Sequence, residues 1–193
     1  MLPSHRLISD IDHLLEQKKR IVVAIDGMSG AGKSSYAKML AYSYKCDLIH
    51  MDHFFLQPLQ RTPERLMMPG GNVDIERFLT EAALPLTLGS SFSYKPYDCK
   101  TQGFLEPVVI SPGPLTIVEG VYSTSPEIIK MNIYDITVFM RLDENEQHKR
   151  LKKRNPELYK RFVDEWIPME HKYFEAFDIP EKCDYLIENW SEK

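Results

Sequence analysis

The chain has 193 residues, 27% of them charged, and a formal net charge of -4, which suits one well-packed domain and is short for two. The acidic balance gives no support to a nucleic-acid partner, which calls for a basic excess or stripe. Charges interrupt the opening "MLPSHRLISDIDHLL", and no later apolar run approaches a membrane span, so a soluble, cytoplasmic protein with no membrane partner is expected.

Leu7, Ile8, Ile11, Leu14 and Leu15 recur at helical spacing, which predicts a first helix with Ser4 as its N-cap. Residues 20–26, "RIVVAID", read as a buried parallel strand. The stretch "IDGMSGAGKSS" follows, and Gly27, Gly32, Lys33 and Ser34 meet the pattern G-x-x-x-x-G-K-[ST], with a second hydroxyl at Ser35. Such a loop wraps backbone N–H groups around phosphate oxygens, the next helix adds the positive end of its dipole, the lysine reaches the β- and γ-phosphates, and the serine offers an oxygen to magnesium. Helix formers in "KSSYAKMLAYSY" complete the strand, loop and helix order that the motif needs. Residues 27 and 29–35 (Gly27, Ser29, Gly30, Ala31, Gly32, Lys33, Ser34, Ser35) are therefore the expected nucleotide cradle, for ATP or GTP with Mg2+.

The run "DLIHMD" suits a second strand ending at Asp52, and "LTIV" a third, closed by Glu119 and Gly120. A fourth strand is expected in "YDITVFMRL" from Tyr134 and a fifth in "CDYLIE" from Cys183. Helical patterns fall at about 74–84, 126–131, 143–154 and through 157–177. Alternating strands and helices predict an α/β fold of three layers, with a mostly parallel five-stranded sheet between helices. Twelve prolines and glycines between Phe54 and Pro114 break that rhythm. An insertion of this length in a compact domain is usually functional. It is expected to carry a helix and a small hairpin ("FSYKPYD" with "EPVVIS") over the carboxyl ends of the strands. The whole chain reads as one domain with an insertion at about 53–114 and a helical lid at about 143–160.

Three carboxylates face the phosphate loop in this reading. Asp52, at the end of the second strand, is placed to take a proton from an attacking hydroxyl, although an Asp there also serves as a turn former. Glu119 is placed to hold magnesium beside Ser34, and Asp26 has a supporting role. In "KRLKKR", Arg150, Lys153 and Arg154 share one helix face that can clamp phosphates, against the usual fate of such runs as a solvated face. The scattered Cys46, Cys99 and Cys183 look like reduced structural thiols, and the histidines make no zinc pattern. Trp166, Tyr173, Phe174 and Phe177 suit either an interface in a homo-oligomer or a helix packed on the core.

With these residues in place, the chain resembles the uridine kinase and phosphoribulokinase family of phosphate-loop small-molecule kinases, and most of all its uridine kinase-like members. "GMSGAGKSS" is similar to the family's loop. "MDHFF" resembles the segment whose Asp is the general base, which implies that role for Asp52. "GGNVDIERF" resembles the segment whose Asp contacts ribose, which points to Asp74, and "IVEG" the strand whose Glu is tied to magnesium, which points to Glu119. "RLKKRN" is similar to the arginine-bearing lid, implying Arg150 and Arg154 at the nucleotide. Tyr97 and Asp98 match a Tyr-Asp segment near the base pocket, but Gln102 stands where the family has His and Phe104 where it has Arg. Gln102 can still read a base edge, whereas Phe104 supplies no cation. The resemblance implies transfer of a γ-phosphoryl to a small-molecule hydroxyl, with the 5′-hydroxyl of uridine or cytidine as the leading acceptor. Another riboside, a sugar phosphate or a pantothenate-like compound is the alternative. A nucleotide-binding regulatory module is the reading of a different class, although Asn-Lys-x-Asp and Asp-x-x-Gly segments typical of GTPases are missing.

Overall fold

The computed structural model describes residues 3–188. Helix α1 (Pro3–Gln17) leads into β1 (Ile21–Gly27), the phosphate-loop region, α2 (Lys33–Tyr44) and β2 (Asp47–His50). Ser4 lies inside the first turn of α1 rather than before it, because the helix begins at Pro3, a position to which proline's fixed φ is suited. Beyond the insertion come β7 (Leu115–Glu119), β8 (Ile136–Arg141) and β9 (Tyr185–Glu188). These five strands form one sheet in the order β2-β7-β1-β8-β9, and every neighbouring pair is parallel. Helices cover both faces, so Val23, Ile25, Ile117, Val118, Val138 and Met140 are almost wholly removed from water. This explains the unbroken apolar runs in place of alternation. Among the described residues no helix is long and apolar enough to cross a membrane.

The second strand is shorter than its sequence suggests. It stops at His50, and Met51–Phe54 forms a 3-10 turn that carries Asp52. Met51 and Phe54 are both buried, an i,i+3 pair that fits the three-residue period of such a turn and leaves Asp52 facing the cleft.

The insertion holds a helical stretch over residues 75–88, widened by a π turn at Leu79–Ala83, and a two-tier antiparallel hairpin. Its base pairs β3 (Phe92–Tyr94) with β6 (Val108–Ile110), and its tip pairs β4 (Tyr97–Asp98) with β5 (Gly103–Phe104). Arg77 binds these parts together. Its guanidinium donates to the carbonyls of His53 and Lys95 and lies over the rings of Phe54 and Phe104, 4.5 and 5.3 Å from their centres. Arg65 makes a bidentate pair with Glu76, at 2.7 Å for both bonds.

The helix Glu144–Arg154 starts at Asp143, whose carboxylate accepts from the N–H groups of Asn145 and Glu146. Leu151, with no exposed surface, anchors it in a small second core with Phe162 and Ile167. Burying one such leucine contributes about 1.5–3 kcal/mol. The chain then runs helically through residues 159–177, with a π turn at Phe162–Trp166 that sets those two rings 4.6 Å apart at their centres. Tyr173 and Phe174 pack into the main core, so this aromatic stretch serves as a helix on the core.

Candidate active site

β1 delivers the chain into the loop at Gly27, whose φ of 137° only glycine adopts readily; a Cβ there would lie 2.0 Å from the carbonyl oxygen of Met140 on β8. Met28 N–H donates to that same carbonyl at 2.9 Å, and Ala31 is buried with its N–H on the Met28 carbonyl. Gly32 then caps α2 in a left-handed conformation with no side-chain cap, so the first N–H groups of the helix are left for an external acceptor. Lys33 is 8% exposed, and its ammonium donates to the carbonyls of Gly27 (2.8 Å) and Met28 (3.0 Å), which holds it over the loop.

Below the loop, Asp26 is a buried brace. It accepts from the N–H groups of Gly27, Tyr122 and Thr124 and from the hydroxyls of Thr124 and Tyr173. Burial pushes its carboxyl up despite these bonds. Its supporting role is thus to tie β1 to the segment after β7 and to the C-terminal helix.

The sheet register sets Glu119 beside Ile25 on one side and His50 on the other, at the edge where the loop begins. Glu119 accepts from the Ser34 hydroxyl at 3.2 Å and shares a short hydrogen bond with His50 Nδ1. Burial alone would raise its carboxyl, but the bond and charge of His50, Lys33 and Ser34 outweigh burial and hold it below the ordinary glutamate range. Asp52, open to the cleft but surrounded by protein, moves the other way: desolvation and the Glu119 carboxylate raise it against the pull of Lys33, His50 and Arg154. Two neighbouring carboxyls are thereby shifted in opposite directions, Glu119 down and Asp52 up.

Ser29, Gly30, Gly32, Lys33, Ser34, Ser35, Asp52, Glu119 and Arg154 line one cleft of about 110 Å3. A larger cavity of about 550 Å3 shares Ser29, Asp52, Val121 and Arg154 with it and extends to Gln102, Arg61, Arg161 and Trp166. Of the three cations on the helix Glu144–Arg154 expected to clamp phosphates, Arg154 is the one that lines both spaces. Arg150 pairs with Glu146 at 3.0 Å and reaches the Gly30 carbonyl at 3.4 Å, and Lys153 is exposed. Gly27 and Ala31 stand behind the loop as its buried frame. Asp74 and Tyr97 line neither space. Asp74 caps the helix at residues 75–88 by accepting from Arg77 N–H and takes a second bond from Gln60, while Tyr97 is buried against Phe104.

Glu170 escaped the sequence reading. Its carboxylate accepts from the Ser29 N–H at 2.9 Å and from the Ser29 hydroxyl, while Gln147 of the helix Glu144–Arg154 donates to the Ser29 carbonyl at 2.9 Å. An acid falling in step with Ile167 and Phe174 on an apolar helix face was the available signal. Glu170 is 4% exposed and burial raises its carboxyl. Glu170→Ala is expected to cost about 1–3 kcal/mol of stability by leaving Ser29 N–H unpaired, with Glu170→Gln milder. Urea unfolding of the two variants checks this, and equal midpoints to the unsubstituted protein would refute it.

The residues fit a nucleotide and its metal. Unbonded helix N–H groups, the Lys33 ammonium and Arg154 suit polyphosphate, and the oxygens of Ser34 and Glu119 suit Mg2+, which takes few protein ligands and completes its shell from phosphates and water. Among the described residues no group of three or more His, Cys, Asp or Glu gathers as a self-sufficient metal cage.

No family model matches the chain, and no curated protein matches it either. Solved structures do. A possible uridine kinase from Bacillus stearothermophilus superposes with a TM-score of 0.67 at 21% identity, over 94% of this chain and 99% of the other. D-glycerate 3-kinase from Cryptococcus neoformans gives 0.60 at 15% identity over 95% and 94%. The circularly permuted YFH7 from Saccharomyces cerevisiae gives 0.61 at 12% over 98% and 99%. At these identities the likeness is one of fold, that of the P-loop kinases.

Proposed function

We propose that this P-loop fold is a Mg2+-dependent kinase that moves the γ-phosphoryl of ATP, or GTP, to a hydroxyl of a small molecule. One observation carries the reading: Asp52 and Arg154 line both the phosphate-loop cleft and the larger cavity, so a hydroxyl in the second meets a phosphoryl in the first beside a carboxylate and a guanidinium. The insertion at about 53–114 covers the acceptor, and the segment at about 143–160 is the lid.

A bound nucleotide would supply the phosphoryl group, and Ser34 and Glu119 would hold Mg2+, which would offset charge on the phosphate oxygens. Asp52 accepts the proton of the acceptor hydroxyl as the new O–P bond forms. Lys33 and Arg154 stabilise the charge that spreads over the phosphoryl oxygens. Gln147 and Leu151 hold the lid helix against Ser29 and Gly30, so water is kept from the transfer.

The nucleoside 5′-hydroxyl implied by the resemblance finds support in Gln102 and Trp166 of the cavity, an amide for a base edge and a ring for its face. Arg61 and Arg161 in the same cavity support instead a sugar phosphate or a hydroxy acid. The test is MgATP consumption with uridine, cytidine, ribose, ribose 5-phosphate, glycerol and glycerate, beside a control without acceptor. Acceptor-dependent ADP release is expected; hydrolysis indifferent to every acceptor would overturn the kinase reading in favour of a regulatory module.

The pH profile follows from Asp52. A base whose carboxyl is raised keeps its proton to higher pH, so its reactive, ionised fraction shrinks as pH falls toward a value above the ordinary 3.8. The acid limb of kcat/KM is expected above that value and absent in Asp52→Asn. A wild-type profile flat down to 3.8 would contradict the assignment.

A further inference from the structure

The larger cavity is asymmetric in charge. Its acids are Asp52, at the junction with the phosphate-loop cleft, and Glu170, whose two oxygens are engaged by Ser29. Its cations are Arg154, at the same junction, and Arg61 and Arg161, which line the cavity and not the cleft. Arg161 stacks over the Trp166 ring, 4.7 Å from its centre, and its other partner, Glu165, is an exposed neighbour one helical turn away that does not line the cavity. No ion pair is recorded for Arg61 among the described residues. Cys99 lies on the same cavity wall: partial burial raises its thiol, while Arg61 and Arg161 pull it down and Asp98 and Asp52 push it up. Arg61 and Arg161 therefore line the part of this cavity outside the phosphate-loop cleft, in a space too large for a hydroxyl alone.

We propose that the acceptor alcohol carries an anionic group of its own, a carboxylate or a phosphate, held by Arg61 and Arg161 in the part of the cavity that lies beyond Asp52. Guanidinium forks match both anions in two-pronged geometry, and anchoring one end of the acceptor fixes where the other end lies. With the anion on these arginines, the hydroxyl is presented to Asp52. The hydroxyl oxygen then bonds to the γ-phosphorus, the bond from that phosphorus to the bridging oxygen breaks, ADP departs, and the hydroxyl proton passes to Asp52. This inference rests on the kinase reading above and narrows it away from a neutral nucleoside.

Two measurements separate its failure from failure of that reading. In the first, KM and kcat are compared for glycerate against glycerol and for ribose 5-phosphate against ribose, with uridine as the neutral nucleoside and MgATP affinity measured separately. The charged member of one pair is expected to have a KM at least about tenfold lower, with glycerate and the sugar phosphate telling carboxylate from phosphate. Arg61→Gln and Arg161→Gln are each expected to raise that KM about 10- to 100-fold while kcat changes less. Tight MgATP binding with equal use of neutral and charged acceptors overturns the inference and leaves the kinase; loss of MgATP binding overturns the kinase. The second measurement needs no turnover. Alkylation of Cys99 by iodoacetate relative to iodoacetamide, followed by mass spectrometry, reads the local field. The unsubstituted protein is expected to favour the anionic reagent more than either arginine variant does, and the charged acceptor to protect Cys99. Identical ratios in all three proteins would sink the proposal.

Discussion

Asp52→Asn is expected to lower kcat by about 10^2- to 10^4-fold, the range that a positioned general base contributes. The substitution is nearly isosteric and the 3-10 turn is held by buried Met51 and Phe54, so the fold and MgATP affinity should survive. What is lost is, among the described residues, the carboxylate that lines both cavities, since Arg154, Ser29 and Val121 are the others shared by the two. Removing the charge also takes a negative group from beside the polyphosphate, so nucleotide binding should hold or tighten slightly. Single-turnover kinetics with the best acceptor, beside a direct MgATP titration, checks both halves. Full transfer by a folded Asp52→Asn protein would remove Asp52 from the chemistry.

Lys33→Met is the second large effect. The methionine keeps the buried stem but not the ammonium that sits on the carbonyls of Gly27 and Met28. A group that stabilises developing charge in a site closed to water is worth about 10^2- to 10^3-fold in kcat, and nucleotide affinity should fall with it. A secondary consequence distinguishes charge loss from a general disturbance. Lys33 pulls down the carboxyls of both Asp52 and Glu119, so without it the acid limb of the residual activity should move to higher pH. A fluorescent ATP analogue and a pH–rate profile of the variant measure these effects; an unmoved acid limb together with near-normal kcat would show that Lys33 does not face the phosphoryl.

Much of the fold was legible because its signals are local. Buried parallel strands show as unbroken apolar runs, and the G-x-x-x-x-G-K-[ST] spacing specifies a backbone shape that few other sequences share. Element ends were less legible. Whether "HMD" continues β2 or turns depends on where Met51 finds a pocket, which neighbouring positions do not encode. The helix Glu144–Arg154 shows the same limit. Arg150, Lys153 and Arg154 share a helix face by spacing, but Leu151 packed with Phe162 and Ile167 sets the helix's rotation, bringing Arg154 to the cleft and leaving Arg150 with Glu146.

The inserted region divides in the same way. A small hairpin was foreseen from turn residues, and β3 with β6 forms it. The roles of Asp74 and Tyr97, implied by resemblance, meet a structure in which Asp74 is occupied as a helix cap and Tyr97 is packed under Phe104. Arg61 and Arg161 stand a hundred residues apart in the chain, and no periodicity relates them.

By itself, the sequence determined the α/β architecture and the phosphate loop, because both are written in short-range patterns of burial, glycine placement and charge. The tertiary structure alone decided which carboxyl is lowered and which is raised, that Glu170 holds the loop at Ser29, and that Arg61 and Arg161 line one cavity with Asp52. Those properties arise from desolvation and from charges brought together across long stretches of chain, and such terms exist only once the packing has set the distances between them.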